Sequence, residues 1–399
     1  MSVALVINSG SSTIKYTLFE MDGERVLAKG LIDRVGSDTA EQTHTVGGET
    51  HHRSRPILDH VAGFRAMLRA CEEWGPQLDS LEIAVVGHRV VQGGARFIAP
   101  TIIDEAVLRI IEEISPLAPL HNPPNLRGIQ AAMTALPDVP HVAVFDTAYH
   151  QTMPPAAYTY AIDALLARQY HVRKYGFHGT SHRYVAGIAA AELGTTLDQL
   201  NAITLHIGNG VSACAIRAGE SIDTSMGMTP LEGLVMGTRS GDIDPGVLFH
   251  LNREAGMSVD QLDDLLNRRS GMLGLTGSSD LRDVQEAVER GDRRAELALD
   301  VYCRRLRHYV GAYLTELDPV HAIVFTAGVG EHSPVVRERA LAGMERFGIT
   351  LDPERNAVAT DGLHRISTDD SAIAVLVIPT NEELEIARQS ITTIASPRH

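Results

Sequence analysis

At 399 residues the chain is longer than one hydrophobic core ordinarily organises, which predicts two domains of roughly 150 to 250 residues with a ligand site in the cleft between them. A composition of 44% hydrophobic and 21% charged residues excludes a disordered or low-complexity chain. The formal charge of −15 excludes nucleic acid and anionic membrane as general partners, because both repel an acidic body; an anionic substrate would have to be met by local Arg or Lys.

Cys71, Cys214 and Cys303 are widely spaced, which argues against a disulfide framework or a metal cluster. The opening MSVALVINSG lacks the charged start and long apolar run of a signal peptide. No apolar run approaches the roughly 18 residues of a membrane span. The expectation is a reduced, cytoplasmic protein.

In chain order, residues 3–7 form an apolar run, Gly10-Ser11-Ser12 a turn almost without side-chain bulk, and Thr13 to Leu18 a period-two pattern, so the chain opens strand, turn, strand. A P-loop would place a helix after its glycines, and no Gly-Lys pair occurs in the sequence. EIAVVGHRV and HVAVFDTAYH each run from β-branched residues into polar turns, bringing His88, Arg89 and Asp146 to strand ends. Residues 151–175, with paired prolines, are the candidate crossing between domains. AITLHIGNGVSACAI then repeats strand, small-residue turn, strand about half a chain after the first copy, which predicts a duplicated domain. In AIVFTAGVGEHSPVVRERAL a third glycine-rich turn, with Gly328 and Gly330, is expected between a strand and a helix. EELEIARQSITTI, from Glu382, reads as an acid-opened amphipathic helix folding back onto the first domain. The alternation indicates an α/β chain with largely parallel central sheets, in which ligands bind beyond the carboxyl ends of strands. Glycines and hydroxyls at such turns let backbone donors approach an anion; for a single Gly-Ser turn, a plain hairpin is the competing explanation.

VINSGSSTIK, YGFHGTSH (175–182), LHIGNGVS, DTSMGMTPLEGLVMGTRSGDIDPG (223–246), FTAGVGEHSP and TNEELEIAR resemble the signature segments of the acetate and propionate kinase (acetokinase) family, within the group that includes sugar kinases, actin and the heat-shock chaperone ATPase. The resemblance implies an α/β fold of two duplicated ribonuclease H-like, actin-like ATPase domains with an interdomain cleft. The first would be 1–150 completed by a C-terminal helix over 384–399; the second, 151–383, would bind nucleotide and dimerise. It implies Mg²⁺- or Mn²⁺-dependent, reversible, in-line transfer of a phosphoryl group between ATP and a short carboxylate, giving ADP and acyl phosphate, in a homodimer.

Such a transfer spreads negative charge over the equatorial oxygens, so positioning and cationic donors do most of the catalysis. By resemblance, Arg89 and Arg239 are the active-site arginines, whose guanidinium forks suit carboxylate or phosphoryl oxygens. His178 is the transition-state histidine and Asp146 the catalytic aspartate. An acid with pKa near 4 to 5 needs no base at neutral pH, so Asp146 is expected to hold Arg89 or the metal. Asn8 and Glu382 match the magnesium positions. Ser11, Ser12 and Lys15 match phosphate contacts of the first turn, and His206, Ile207, Gly208, Asn209 and Gly210 those of the second. Asp280, Leu281 and Arg282 with Gly328, Val329, Gly330 and Glu331 match the base and ribose contacts. Val91, Leu120, Phe177 and Pro230 match the apolar pocket for the methyl group of the acid. The chain departs from the family pattern at His332, where Asn is usual, and at Gln92 and Ala95, where His and Glu are usual. A propionate kinase, a sugar or polyol kinase and an actin-type ATP-gated protein are the competing readings.

Overall fold

In the computed structural model, residues 2–360 and 362–396 are described; residues 397–399 of the expected terminal segment lie outside them. The chain divides into two compact units, Met1–Tyr149 with Asn381–His399, and His150–Thr380.

In the first unit β1 (Val3–Ser9) turns into β2 (Thr13–Glu20), and β3 (Arg25–Asp33), β4 (Ser37–Val46) and β5 (Glu49–Ile57) extend an antiparallel meander. On the other side of β1 lies β6 (Ile83–Val90), parallel to it. The short β7 (Thr101–Ile102) and β8 (His141–Phe145) complete the order β5-β4-β3-β2-β1-β6-β8-β7, with β8 parallel to β6. The apolar runs of β1 and β8 are buried along nearly their whole length, as strands covered on both faces require, whereas β5 alternates exposed and half-buried residues. Val3, Leu5, Ile7, Ile14, Leu18, Phe64 and Met67 pack into the core of one face. The helix Glu382–Ala395 packs against β1, β6 and β8. Gly87 admits it, since a Cβ there would come within 2.5 Å of Ser390 Oγ.

The second unit repeats the plan. β9 (Ala202–Ile207), β10 (Val211–Arg217) and β11 (Glu220–Thr224) form an antiparallel meander. β12 (Ala322–Thr326), β13 (His364–Arg365) and β14 (Ala374–Val377) complete the order β11-β10-β9-β12-β14-β13, with β12 parallel to β9 and β14 parallel to β12. In both units the first strand therefore carries a hairpin meander on one side and two parallel strands on the other. The 24-residue helix Arg293–Glu316, capped by Asp292, buries Leu299, Tyr302, Leu306 and Val310.

The glycines after β12 depart from the sequence reading. The strand passes directly into a short helix, Ala327–His332, that contains Gly328 and Gly330. The reversal falls on Ala327, at φ +64°. The next helix starts separately at Pro334, where Ser333 caps it by accepting from the Val336 N–H. Among the described residues no helix is long and apolar enough to cross a membrane, and the three cysteines are buried and free.

Candidate active site

In the first unit the site residues gather at the carboxyl ends of β1, β6 and β8. The Gly10 N–H donates to the Thr13 carbonyl at 2.8 Å and closes the first turn, leaving Ser11 and Ser12 exposed at its tip. Asn8, next to last in β1, lies opposite Lys15 of β2. Parallel pairing sets Arg89 beside Val144, so Asp146, two residues on, meets the guanidinium. Arg89 Nε donates to Oδ1 at 3.0 Å and Nη2 to Oδ2 at 2.7 Å, and the Asp146 side chain is 1% exposed. Burial alone would depress the Arg89 guanidinium; the Asp146, Glu382 and Glu383 carboxylates outweigh it and push its pKa up. Burial pushes the Glu382 carboxyl up to about 7, against Arg89 and Lys15 and with the help of Asp146 and Glu383. Asp146 is thus a clamp on Arg89, the arrangement expected if it is not a base.

Two asparagines missed by the sequence reading fix the adjoining loop. Asn125 Oδ1 accepts from the Val91 N–H at 3.1 Å while its Nδ2 donates to the Ser9 carbonyl at 2.7 Å. Asn122 exchanges both of its amide bonds with the Gln92 backbone, at 3.0 and 2.9 Å. Pro at 123 and 124 after Asn122 is the sequence signal of the helix start that presents them. Gln92 is fully buried and accepts from the Gly94 N–H at 2.9 Å, while Ala95 is exposed; these departures shape the loop and the surface. Val91 is buried and Leu120 is 59% exposed, both in the first unit.

In the second unit the turn between β9 and β10 is closed by Gly208 N–H donating to the Gly210 carbonyl at 3.1 Å, and Gly237 N–H donates to the Asn209 carbonyl at 3.0 Å. His178 sits in the left-handed region, φ 56°, as the residue before the helix Gly179–Glu192. Its ring stacks on His206 at 4.1 Å, and His206 Nδ1 lies 2.8 Å from Ser181 Oγ. Arg239 Nη1 donates to the Pro230 carbonyl at 2.9 Å, and burial lowers the pKa of its guanidinium. A Cβ on Gly210 would lie 3.3 Å from His178 Cε1, 3.4 Å from its Nε2 and 3.7 Å from Arg239 Nη1. Three residues from distant segments therefore face one point. No carboxylate pairs with Arg239 among the described residues, so a cation and a ring nitrogen border a turn of backbone amides without a protein counter-ion.

Beside that turn lies a cavity of about 410 Å³, lined by Gly208, Asn209, Asp280, Leu281, Arg282, Gly328 and Val329, all anticipated. It also takes in Gly237, Met272, Ser279, Gln285, Tyr302, His332 and Ser333, of which the sequence reading had singled out only His332, as a departure. Ile207, Gly330 and Glu331 do not line it. Ile207 is a buried strand residue packed against Gly330, and Glu331 Oε1 accepts from the Thr380 N–H at 3.2 Å. Arg337, 1% exposed, donates to the carbonyls of Gly330 and Glu331 and to Asn356, pinning the glycine segment from behind. Phe177 is buried and Pro230 half-buried in this unit.

The acetokinase family model matches residues 3–388. The chain belongs to that family. Among acetokinase relatives, an acetate kinase of Clavibacter michiganensis is 58% identical over 99% of this chain and 100% of its own. The crystal structure of Porphyromonas gingivalis acetate kinase superposes with a TM-score of 0.95 at 42% identity, covering 99% of this chain and all of that one. A propionate kinase from Francisella tularensis superposes at 0.92 with 36% identity, covering 98% and 100%.

Proposed function

We propose that the chain is a reversible kinase that transfers the γ-phosphoryl group of ATP to acetate, giving acetyl phosphate and ADP by direct in-line displacement. The observation that carries this reading is Arg239, a half-buried guanidinium without a carboxylate partner among the described residues, facing His178 and the Gly208–Gly210 turn. A desolvated cation of this kind gains most when an anion arrives. Arg89, aimed by Asp146, supplies the second fork for the carboxylate or the phosphoryl oxygens. In the second unit the amides of the Gly208–Gly210 turn cradle the phosphates, and the cavity beside Asn209 takes the nucleoside; in the first unit Ser11, Ser12 and Lys15 are the phosphate contacts that the family resemblance implies. Val91, Leu120, Phe177 and Pro230 are assigned to the methyl group of the acid by the family resemblance alone.

Asn8 and Glu382 offer an amide and a carboxylate oxygen. Burial raises Glu382, with Asp146 and Glu383 as anionic neighbours, so a hard cation suits the set. One amide and one carboxylate oxygen would leave the rest of the coordination sphere to water and phosphate oxygens, as Mg²⁺ prefers. Bound there, the ion would neutralise charge on the phosphates.

The homodimer is proposed through the second unit: the helix Gly246–Ala255 buries none of its residues and leaves Val247 and Phe249 exposed, an apolar face that a second copy would cover. A cytoplasmic location follows from the need for ATP. Hydroxamate trapping with ATP, Mg²⁺ and acetate, propionate, butyrate, glycerol or glucose tests the reaction. Acetate is expected to give the highest kcat/KM. A preference for propionate would move the assignment within the family, since one methylene is worth only about 1–3 kcal/mol in an apolar pocket. Polyol phosphorylation without carboxylate turnover would overturn it.

A further inference from the structure

Behind His178 lies a row of buried polar side chains that the reading above does not use. Ser212 Oγ is 2.9 Å from His178 Nδ1 and 2.8 Å from His182 Nε2. His182 Nδ1 is in turn 2.7 Å from Thr204 Oγ1. Ser212, His182 and Thr204 are each 0% exposed. β10 supplies Ser212, β9 supplies Thr204, and the helix Gly179–Glu192 presents His182 one turn after His178.

We infer that Ser212 and His182 are positioning residues that hold His178 as the Nε2–H tautomer, so that the nitrogen towards Gly210 is a hydrogen-bond donor to the phosphoryl group in flight. The inference rests on the proposed kinase reaction and on the transition-state role that the family resemblance implies for His178.

The direction of the row follows from counting hydrogens. Ser212 has one hydroxyl hydrogen for two ring nitrogens, so it donates to one and accepts from the other. Burial, reinforced by His150 and His206, drives the pKa of His182 far below its ordinary value. Its ring is therefore neutral, with one donor and one acceptor nitrogen. If Ser212 donated to His182, then His182 Nδ1–H would have to donate to Thr204. The Thr204 hydroxyl hydrogen, which meets only His182 among the described residues, would then be buried without an acceptor, which is unfavourable. In the opposite direction every hydrogen is used. Thr204 O–H donates to His182 Nδ1, His182 Nε2–H donates to Ser212 Oγ, and Ser212 O–H donates to His178 Nδ1. His178 then carries its proton on Nε2, the atom that with Cε1 faces Gly210 and Arg239.

The test has two arms. In ¹⁵N-histidine-labelled wild-type protein at pH 7.5, the His178 ring is expected to show a protonated Nε2 and a bare Nδ1; a protonated Nδ1 would overturn the inference without any variant. In the kinetic arm, Ser212→Ala is expected to lower kcat about tenfold to a hundredfold, with KM for ATP and acetate within threefold of wild type. His182→Gln, whose amide can still donate towards Ser212, should recover most of the loss seen in His182→Leu. Ser212→Ala placed on His178→Ala should cost nothing further. Full activity in Ser212→Ala alongside an impaired His178→Ala would sink the relay and leave the role of His178 standing. Full activity in His178→Ala would sink that role itself.

Discussion

Arg89 and Arg239 occupy opposite electrostatic situations, and their removal should separate activity from stability. Arg89 neutralises a carboxylate that is 1% exposed, so Arg89→Ala leaves a buried anion and is expected to cost about 3 kcal/mol of stability as well as at least a hundredfold in kcat. Arg239 has no carboxylate to strand among the described residues, and burial already disfavours its charge. Arg239→Ala should therefore lose a comparable factor in kcat while denaturant midpoints stay close to wild type. Urea titrations beside hydroxamate rates check both. The sequence pointed to Arg239 and His178 through the matched segments 223–246 and 175–182, and to Arg89 and Asp146 as strand-end residues of EIAVVGHRV and HVAVFDTAYH. It left Ser212, Thr204 and Asn125 unmarked: a hydroxyl or amide in an apolar strand or at a helix start has no pattern of its own until the partner segment is placed against it.

The turns and helix starts carry their own tests. A methyl group on Gly237 would sit 2.0 Å from Asn209 Oδ1, so Gly237→Ala must displace the asparagine that borders the cavity. It is expected to raise KM for ATP at least tenfold, with KM for acetate less affected, in initial-rate measurements at fixed Mg²⁺. Arg337 binds three backbone carbonyls from a buried site; Arg337→Met strands those acceptors and should cost about 2 kcal/mol, seen as a thermal midpoint lower by ~4–8 °C. Hairpins and strand-to-helix units were readable from periodicity and small-residue turns. The register was not, and it is what places Asp146 on Arg89. The glycines at 328 and 330 were misread as a turn because glycine marks flexibility without saying whether a helix uses it. Here Ala327 makes the reversal, and Gly330 packs its bare face near Phe325 and Ile207.

Taken together, the two units bury several neutral histidines. His88 and His141 share a hydrogen bond of 2.9 Å; burial lowers the pKa of both, holds His150 down to about 4 and drives His182 far below its ordinary value. The unfolded chain takes up these protons near pH 6.5 and the folded chain does not, so stability present above that value is lost as the pH falls through it. One unit below, each such histidine costs about 1.4 kcal/mol. Guanidinium midpoints should fall steeply between pH 7.5 and 5.5, and a flat profile would contradict the buried, neutral state. The duplicated architecture was foreseeable from two related segments half a chain apart; the strand order, with a meander on one side of β1 and β9 and two parallel strands on the other, was not, because sequence does not say which edge a later strand joins.

The chain leaves the first unit after Tyr149 and re-enters it only at Asn381, and the helix it brings back lies over β1, β6 and β8 with Ser390 and Ile386 against Gly87. A ribosome making this protein therefore releases the first 149 residues with an apolar sheet face bare, and holds them so through the synthesis of 231 more before the missing piece emerges. The N-terminal half is made first yet finished last. A chain stopped after Thr380 should accumulate in inclusion bodies or on chaperones, and supplying the 381–399 peptide in trans should return part of it to the soluble fraction.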